Sequence, residues 1–123
     1  MEIRKHKDLK VFQVSFEAGM KIFELSKEFP KEEKYSLTDQ MRRSSRSVSS
    51  NIAEAWRKRK YPKSFISKLS DSEGEAAETQ VWLDYALKCG YMNQENYERL
   101  YDQYEHIIAM LINMSTKPEQ WKL

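Results

Sequence analysis

Cysteine is nearly absent: Cys89 is the only one. One thiol closes no disulfide within the chain and cannot form the Cys/His cluster that zinc requires. Glycine and proline occur three times each in 123 residues. Sandwiches and barrels need many turns, so this scarcity points to a few long helices. No stretch of 18 apolar residues occurs, and the basic start MEIRKHKDLK has no apolar core. Neither a membrane span nor a signal peptide is expected, and a reducing cytoplasm is the expected setting.

Catalytic motifs are missing as well. The histidines, His6 and His106, follow Ile3 and Gln103 at three residues, so neither completes the Glu-x-x-His pair of a di-iron bundle. There is no G-x-x-x-x-G-K-[ST] and no G-x-G-x-x-G. The serines of the middle segment have no base near them in sequence. The expectation is a protein that is not an enzyme, with no cofactor, no metal and no small-molecule substrate.

The composition that remains, 40% hydrophobic and 33% charged, suits one soluble domain over residues 1–123. Net charge is only +2, but it is unevenly spread. Residues 42–68 hold nine Lys or Arg and one acid, Glu54, whereas residues 71–123 hold ten acids and four bases. Such asymmetry fits a nucleic-acid surface, a solvated helix, or subunit contacts that complement one another.

Apolar spacing predicts four helices, at about 8–28, 37–58, 63–89 and 94–115. In the first, Leu9, Phe12, Phe16, Gly19 and Phe23 form the expected core stripe, and Val11, Ala18, Ile22, Leu25 and Phe29 form a second. Phe29-Pro30 stops it. Ser36 is a candidate N-cap for the second helix. The third carries Phe65, Leu69, Ser72, Ala76, Leu83 and Leu87, with a second stripe of Ile66, Ser70, Ala77 and Val81. Gly90 suits a left-handed cap. Asn93 caps the fourth, whose stripe is Tyr97, Leu100, Tyr104, Ile107, Leu111 and Met114. The tail EQWKL is expected to be loose, with Trp121 able to dock on a neighbour. Four helices with short connections predict an all-α, up-down-up-down four-helix bundle. Two apolar stripes on one helix leave surface to cover, so a homo-oligomer is expected.

The second helix has three faces. Leu37, Met41, Ser45, Val48, Ile52 and Ala55 form its core stripe. Arg42, Arg46 and Arg57, with Lys58, Arg59, Lys60 and Lys63 following, form a basic surface suited to phosphate. Gln40, Arg43, Ser47, Asn51 and Glu54 form a polar stripe. With Glu75 and Glu78 opposite, it is either a buried network, Arg43 pairing a carboxylate within or between chains, or an ordinary exposed face. Trp56, amid these bases, either stacks a nucleic-acid base or packs beneath the third helix.

These same residues carry a family pattern. Phe29-Pro30, Glu33, Tyr35, Leu37, Gln40, Arg43, Ser47 and Asn51-Ile52-Ala53-Glu54 occur in order, and Glu75, Glu78, Thr79-Gln80 and Gly90-Tyr91 follow. From about Leu9 to Met114 the chain resembles the proteins named for intervening sequences in 23S rRNA genes. Ala55 departs from the usual glycine after Asn-Ile-Ala-Glu, and the run after it is more basic than the pattern. The resemblance implies a four-helix bundle assembling into a ring, commonly a homopentamer, with no established enzymatic activity. It extends to the accessory variability protein of diversity-generating retroelements, a basic pentamer that binds nucleic acid and a reverse transcriptase.

The leading expectation is therefore a non-enzymatic oligomeric bundle that binds RNA or a nucleoprotein partner through the basic surface. The alternative is a structural or assembly protein whose charged second helix builds the ring and contacts a protein.

Overall fold

A computed structural model describes residues 2–122. Four α-helices dominate: α1 (Lys10–Ser26), α2 (Leu37–Arg57), α3 (Pro62–Lys88) and α4 (Gln94–Thr116). Three short 3₁₀ turns accompany them, at His6–Asp8, Lys31–Glu33 and Pro118–Gln120, and there is no strand among the described residues. α2 packs most extensively on α3, α3 on α4, and α1 on both α2 and α4. α1 and α3 therefore occupy diagonal corners of the bundle.

The helix ends follow local chemistry. Pro62 opens α3, where its missing N–H has no intrahelical partner to lose. Gly90 ends the next connection's first turn at φ +77°, a conformation that suits glycine alone among the residues here. The Asn93 side chain accepts from the Asn96 N–H at 2.7 Å and caps α4. Ser36 does not cap α2. Its hydroxyl donates to Glu33 Oε1 at 2.6 Å, and that same carboxylate oxygen accepts the Leu37 N–H at 3.3 Å. The acid three residues upstream supplies the charge that the α2 N-terminus favours.

The core stripe of α2 is as expected: Leu37, Met41, Ser45, Val48, Ile52 and Ala55 are all buried. Ala55 sits inside the helix, and no residue but Gly90 has positive φ among those described, so alanine in place of glycine imposes no strain. The serines explain the polarity of α2. Small side chains bring α2 and α3 close together, and each buried hydroxyl finds a partner. Ser44 Oγ and Thr79 Oγ1 lie 2.8 Å apart, Ser72 Oγ donates to the Val48 carbonyl at 2.8 Å, and Ser15 Oγ meets Ser49 Oγ at 3.1 Å. Each such bond contributes about 0.5–1.5 kcal/mol net, while an orphaned buried hydroxyl costs about 1–3 kcal/mol.

α1 reverses the expected order of its stripes. Val11, Ser15, Ala18, Ile22 and Ser26 face the core, whereas Phe12 and Phe23 are half-buried and Phe16 is 54% exposed. The small residues of α1 are chosen by the tight fit against α2, where Gly19 approaches the Ser45 carbonyl. The phenylalanines are too large for that seam and lie outside it. On α3 the expected main stripe is buried apart from Leu87, which is half-buried. The tail also departs from expectation: Trp121 docks edge-on against Trp56, ring centroids 6.4 Å apart, within its own chain. Trp56 is itself buried, so it packs in the core and is not presented to solvent.

Three buried polar atoms among the described residues lack a partner: Trp82 Nε1, Gln103 Oε1 and the Tyr104 hydroxyl, of which only Tyr104 is a buried hydroxyl. Burial raises the Tyr104 pKa. Tyr104→Phe removes that unsatisfied group and is expected to stabilise the fold by about 1 kcal/mol. Thermal melts of the two proteins check this, and a lower melting temperature in the variant would show that the hydroxyl is paired in solution.

Candidate functional site

The basic residues divide into two groups. α2 rises about 1.5 Å per residue, so Arg46 and Arg57 lie roughly 16 Å apart along its axis. Arg42 and Arg46 belong to the α1 side. Their guanidinium carbons sit 4.8 and 5.9 Å from the Phe23 ring centroid, and Arg42 Nε donates to Ser26 Oγ at 2.8 Å. The other group gathers where α2 gives way to α3, across a connection of residues 58–61. Arg57, Lys58, Lys60 and Lys63 are exposed there. Arg59 is half-buried over the Trp56 ring at 3.8 Å, and its Nη1 donates to the Trp56 carbonyl at 2.6 Å. Burial, then the charge of Arg57, lowers its pKa, although a guanidinium stays protonated regardless.

Beside this connection lies a shallow groove of about 240 Å³ lined by Lys58, Lys63, Ser64, Ser67 and Lys68. Ser64, Ser67 and Lys68 were not anticipated from the sequence. Their signal is spacing: Lys63 and Ser67 sit four apart, as do Ser64 and Lys68, which puts them on one side of the first turns of α3. No side chain caps the α3 N-terminus, so its positive end adds to the lysines. Lys68 is held by Glu54 at 2.8 Å and by Asp71 at 3.9 Å, and the Glu54 hydrogen bond, followed by its charge, raises the Lys68 pKa. Among the described residues, Arg57, Lys58, Lys60 and Lys63 enter no ion pair. Tyr61, rather than Trp56, is the aromatic exposed among these bases, with Lys60 Nζ 5.2 Å from its ring centroid.

The polar stripe of α2 is not a buried network in this chain. Gln40, Arg43 and Glu54 are exposed, and Ser47 and Asn51 are half-buried, with Asn51 Nδ2 donating to the Ser47 carbonyl at 2.9 Å. Arg43 enters no ion pair among the described residues. Glu75 and Glu78 are half-buried on α3. Partial burial first, then the hydrogen bond and charge of Glu78, raises the Glu75 pKa. The reason is steric: the serine contacts already fill the α2–α3 seam, which pushes the longer polar side chains to its solvent edge.

Some residues of the family pattern do converge. Glu33, Tyr35, Leu37 and Gln40 line a groove of about 380 Å³ together with Trp82, Tyr85 and Cys89. Glu33 is a clamp there. Besides Ser36 and Leu37 it accepts the Tyr91 hydroxyl at 2.8 Å, so one carboxylate ties the connection before α2 to the residue after Gly90. Three donors leave it little capacity for a ligand cation. Among the described residues no cluster of three or more His, Cys, Asp and Glu is placed to hold a metal ion, and no helix is long and apolar enough to cross a membrane.

With that geometry established, known proteins place the chain. A family model described as 23S rRNA-intervening sequence protein matches residues 7–113. The chain belongs to this family. It is also similar to a protein of unknown function from the S23 ribosomal protein family of Bacteroides thetaiotaomicron VPI-5482, whose crystal structure was determined at 1.70 Å resolution. The two are 31% identical, with a TM-score of 0.78, over 86% of this chain and 95% of that one. No curated protein sequence matches the chain.

The Ser36 hydroxyl, the Tyr91 hydroxyl and the Leu37 N–H, in that order, hold the Glu33 pKa below its usual 4.5. A carboxyl depressed by folding stabilises the fold above its unfolded pKa and loses that contribution as pH falls through the folded value. The wild-type melting temperature should therefore fall as pH drops below 4.5, and Glu33→Gln should show a smaller fall. Melts from neutrality down to about pH 3 compare the two; parallel curves would mean that the clamp does not form.

Proposed function

We propose that this chain is a non-enzymatic four-helix bundle that assembles with its own copies and binds RNA, free or in a nucleoprotein, through the basic end at the α2–α3 connection. The observation that carries this reading is the groove of Lys58, Lys63, Ser64, Ser67 and Lys68 at the uncapped start of α3. Ammonium groups neutralise phosphate, serine hydroxyls donate to its oxygens, and the helix N-terminus favours the negative charge. Nothing in the groove is arranged to read base edges, so binding follows the backbone and not the sequence. Tyr61 adds a face on which one unpaired base can stack, worth about 1–3 kcal/mol.

Short connections run the four helices up-down-up-down in this reading. The family's name supports an RNA context without stating a ligand. Arg42 and Arg46 favour a second role. Packed on Phe23 and remote from the basic end, they suit assembly contacts with protein, which is the structural function considered for α2.

Fluorescence anisotropy with a structured RNA carrying single-stranded loops tests the proposal. Affinity should fall steeply with salt, each neutralised phosphate adding about 0.7–0.9 to the logarithmic slope. Lys58→Glu, Lys60→Glu and Lys63→Glu together should weaken binding at low salt and flatten the slope while leaving the circular dichroism unchanged, since all three side chains are exposed. Tyr61→Ala should weaken binding with the slope unchanged. Salt-independent binding, or a triple variant that binds like wild type, would overturn the assignment.

A further inference from the structure

An exposed apolar surface with no role so far lies on the α1–α2 side. Phe12, Phe16, Met20 and Phe23 wall a groove of about 400 Å³ whose floor is Gly19 and Ser45. Phe16 and Met20 remain 54% and 47% exposed. Burying side chains of this kind is favourable, so the isolated chain leaves much of that stabilisation unrealised. The groove also has a charge. Glu17 pairs with Lys21 at 3.7 Å and Glu24 with Lys27 at 3.2 Å, which cancels the α1 side chains. Arg42 and Arg46, on the α2 rim, meet no carboxylate among the described residues. The groove is apolar with a positive edge.

A matching surface stands on the diagonal helix. Ile66, Ala77 and Val81 form an exposed stripe on α3. A side chain added at Gly74, between them, would meet no atom within 4 Å. From Asp71 to Asp84, α3 holds five acids and no base. Glu73 and Asp84 lie beside the stripe at helical spacing. This surface is apolar with a negative edge.

We infer that the α1–α2 groove of one copy receives the outer stripe of α3 from the next copy, Arg42 and Arg46 meeting the acids beside Val81. The inference rests on the self-assembly proposed above and names the surfaces that perform it. Charge decides against the symmetric alternatives. Groove on groove would bring the guanidiniums of Arg42 and Arg46 from both copies together, and stripe on stripe would oppose two acidic helices; like charges at close range exclude both. Because α1 and α3 sit on diagonal corners, the contact is head-to-tail. Each copy keeps one donor and one acceptor surface, and the assembly ends only when a ring closes. The basic end at Lys58–Lys63 takes no part and stays open.

Light scattering coupled to size exclusion tests this with Phe16→Glu and Val81→Glu, each in a half-exposed side chain, with circular dichroism confirming the fold. Wild type should elute as an oligomer, and each variant alone at the mass of one chain, 14.7 kDa. Mixed, the two variants should form a 1:1 dimer and nothing larger, because one intact groove and one intact stripe remain between them. Met20→Glu and Ile66→Glu repeat the experiment should either first variant fail to fold. A monomeric wild type would overturn self-assembly and this interface together. An oligomeric wild type with a variant of unchanged mass, or with a mixture that stays monomeric, would overturn the head-to-tail contact and leave self-assembly standing.

Discussion

The close seam between α2 and α3 constrains everything else in this fold. It exists because serine, threonine and alanine occupy the facing positions and because Ser44, Ser72 and Thr79 satisfy one another or a backbone carbonyl within it. A seam so narrow has no room for long side chains. The polar stripe from Gln40 to Glu54 is therefore displaced to its outer edge, where Glu54 reaches Lys68 and Arg43 enters no ion pair among the described residues. The same demand for small residues on the α1 side selects Ser15 and Ala18 for the interior and Gly19 for the edge of the seam, and leaves the phenylalanines of α1 outside. Packing, rather than hydrophobicity alone, sorts side chains here.

The exclusion has a functional side. A bundle that turned its phenylalanines inward would be a finished object with nothing to cover. This one carries its bulk on α1 and an exposed apolar stripe on α3, while Arg57, Lys58, Lys60 and Lys63, which enter no ion pair among the described residues, gather at the α2–α3 end. The apolar surfaces proposed for partner copies and the basic end proposed for RNA are thus different places on a small protein.

Much of this was legible in the sequence where a single residue has a single physical consequence. Pro62, Gly90 and Asn93 mark helix ends because a missing N–H, a permitted positive φ and a side-chain acceptor are local properties. The α2 core stripe was legible because its period is unbroken. The α1 stripe was not, since two apolar stripes compete there and hydrophobicity favours the one with phenylalanine; the deciding quantity is the width of the facing seam, which lies in another helix. Ser36 looked like a cap until Glu33, brought close by a 3₁₀ turn, took that role. At the basic end, the Lys58–Lys63 run was visible as composition, whereas the contribution of Ser64, Ser67 and Lys68 depends on the angle at which α3 leaves the connection. The contact of Trp121 on Trp56 depends on a tail that folds back from the far end of the chain.

Arg59 gives the connection a further property. Its guanidinium is stacked on Trp56 and bonded to the Trp56 carbonyl, and Trp121 meets the same indole edge-on. A four-residue link that is polar and basic would ordinarily sample many conformations; this one is anchored at its centre to the hydrophobic interior. The neighbouring lysines consequently project from a fixed backbone. RNA bound as proposed would order side chains but not a loop, so its association would carry little of the heat-capacity change that marks coupled folding.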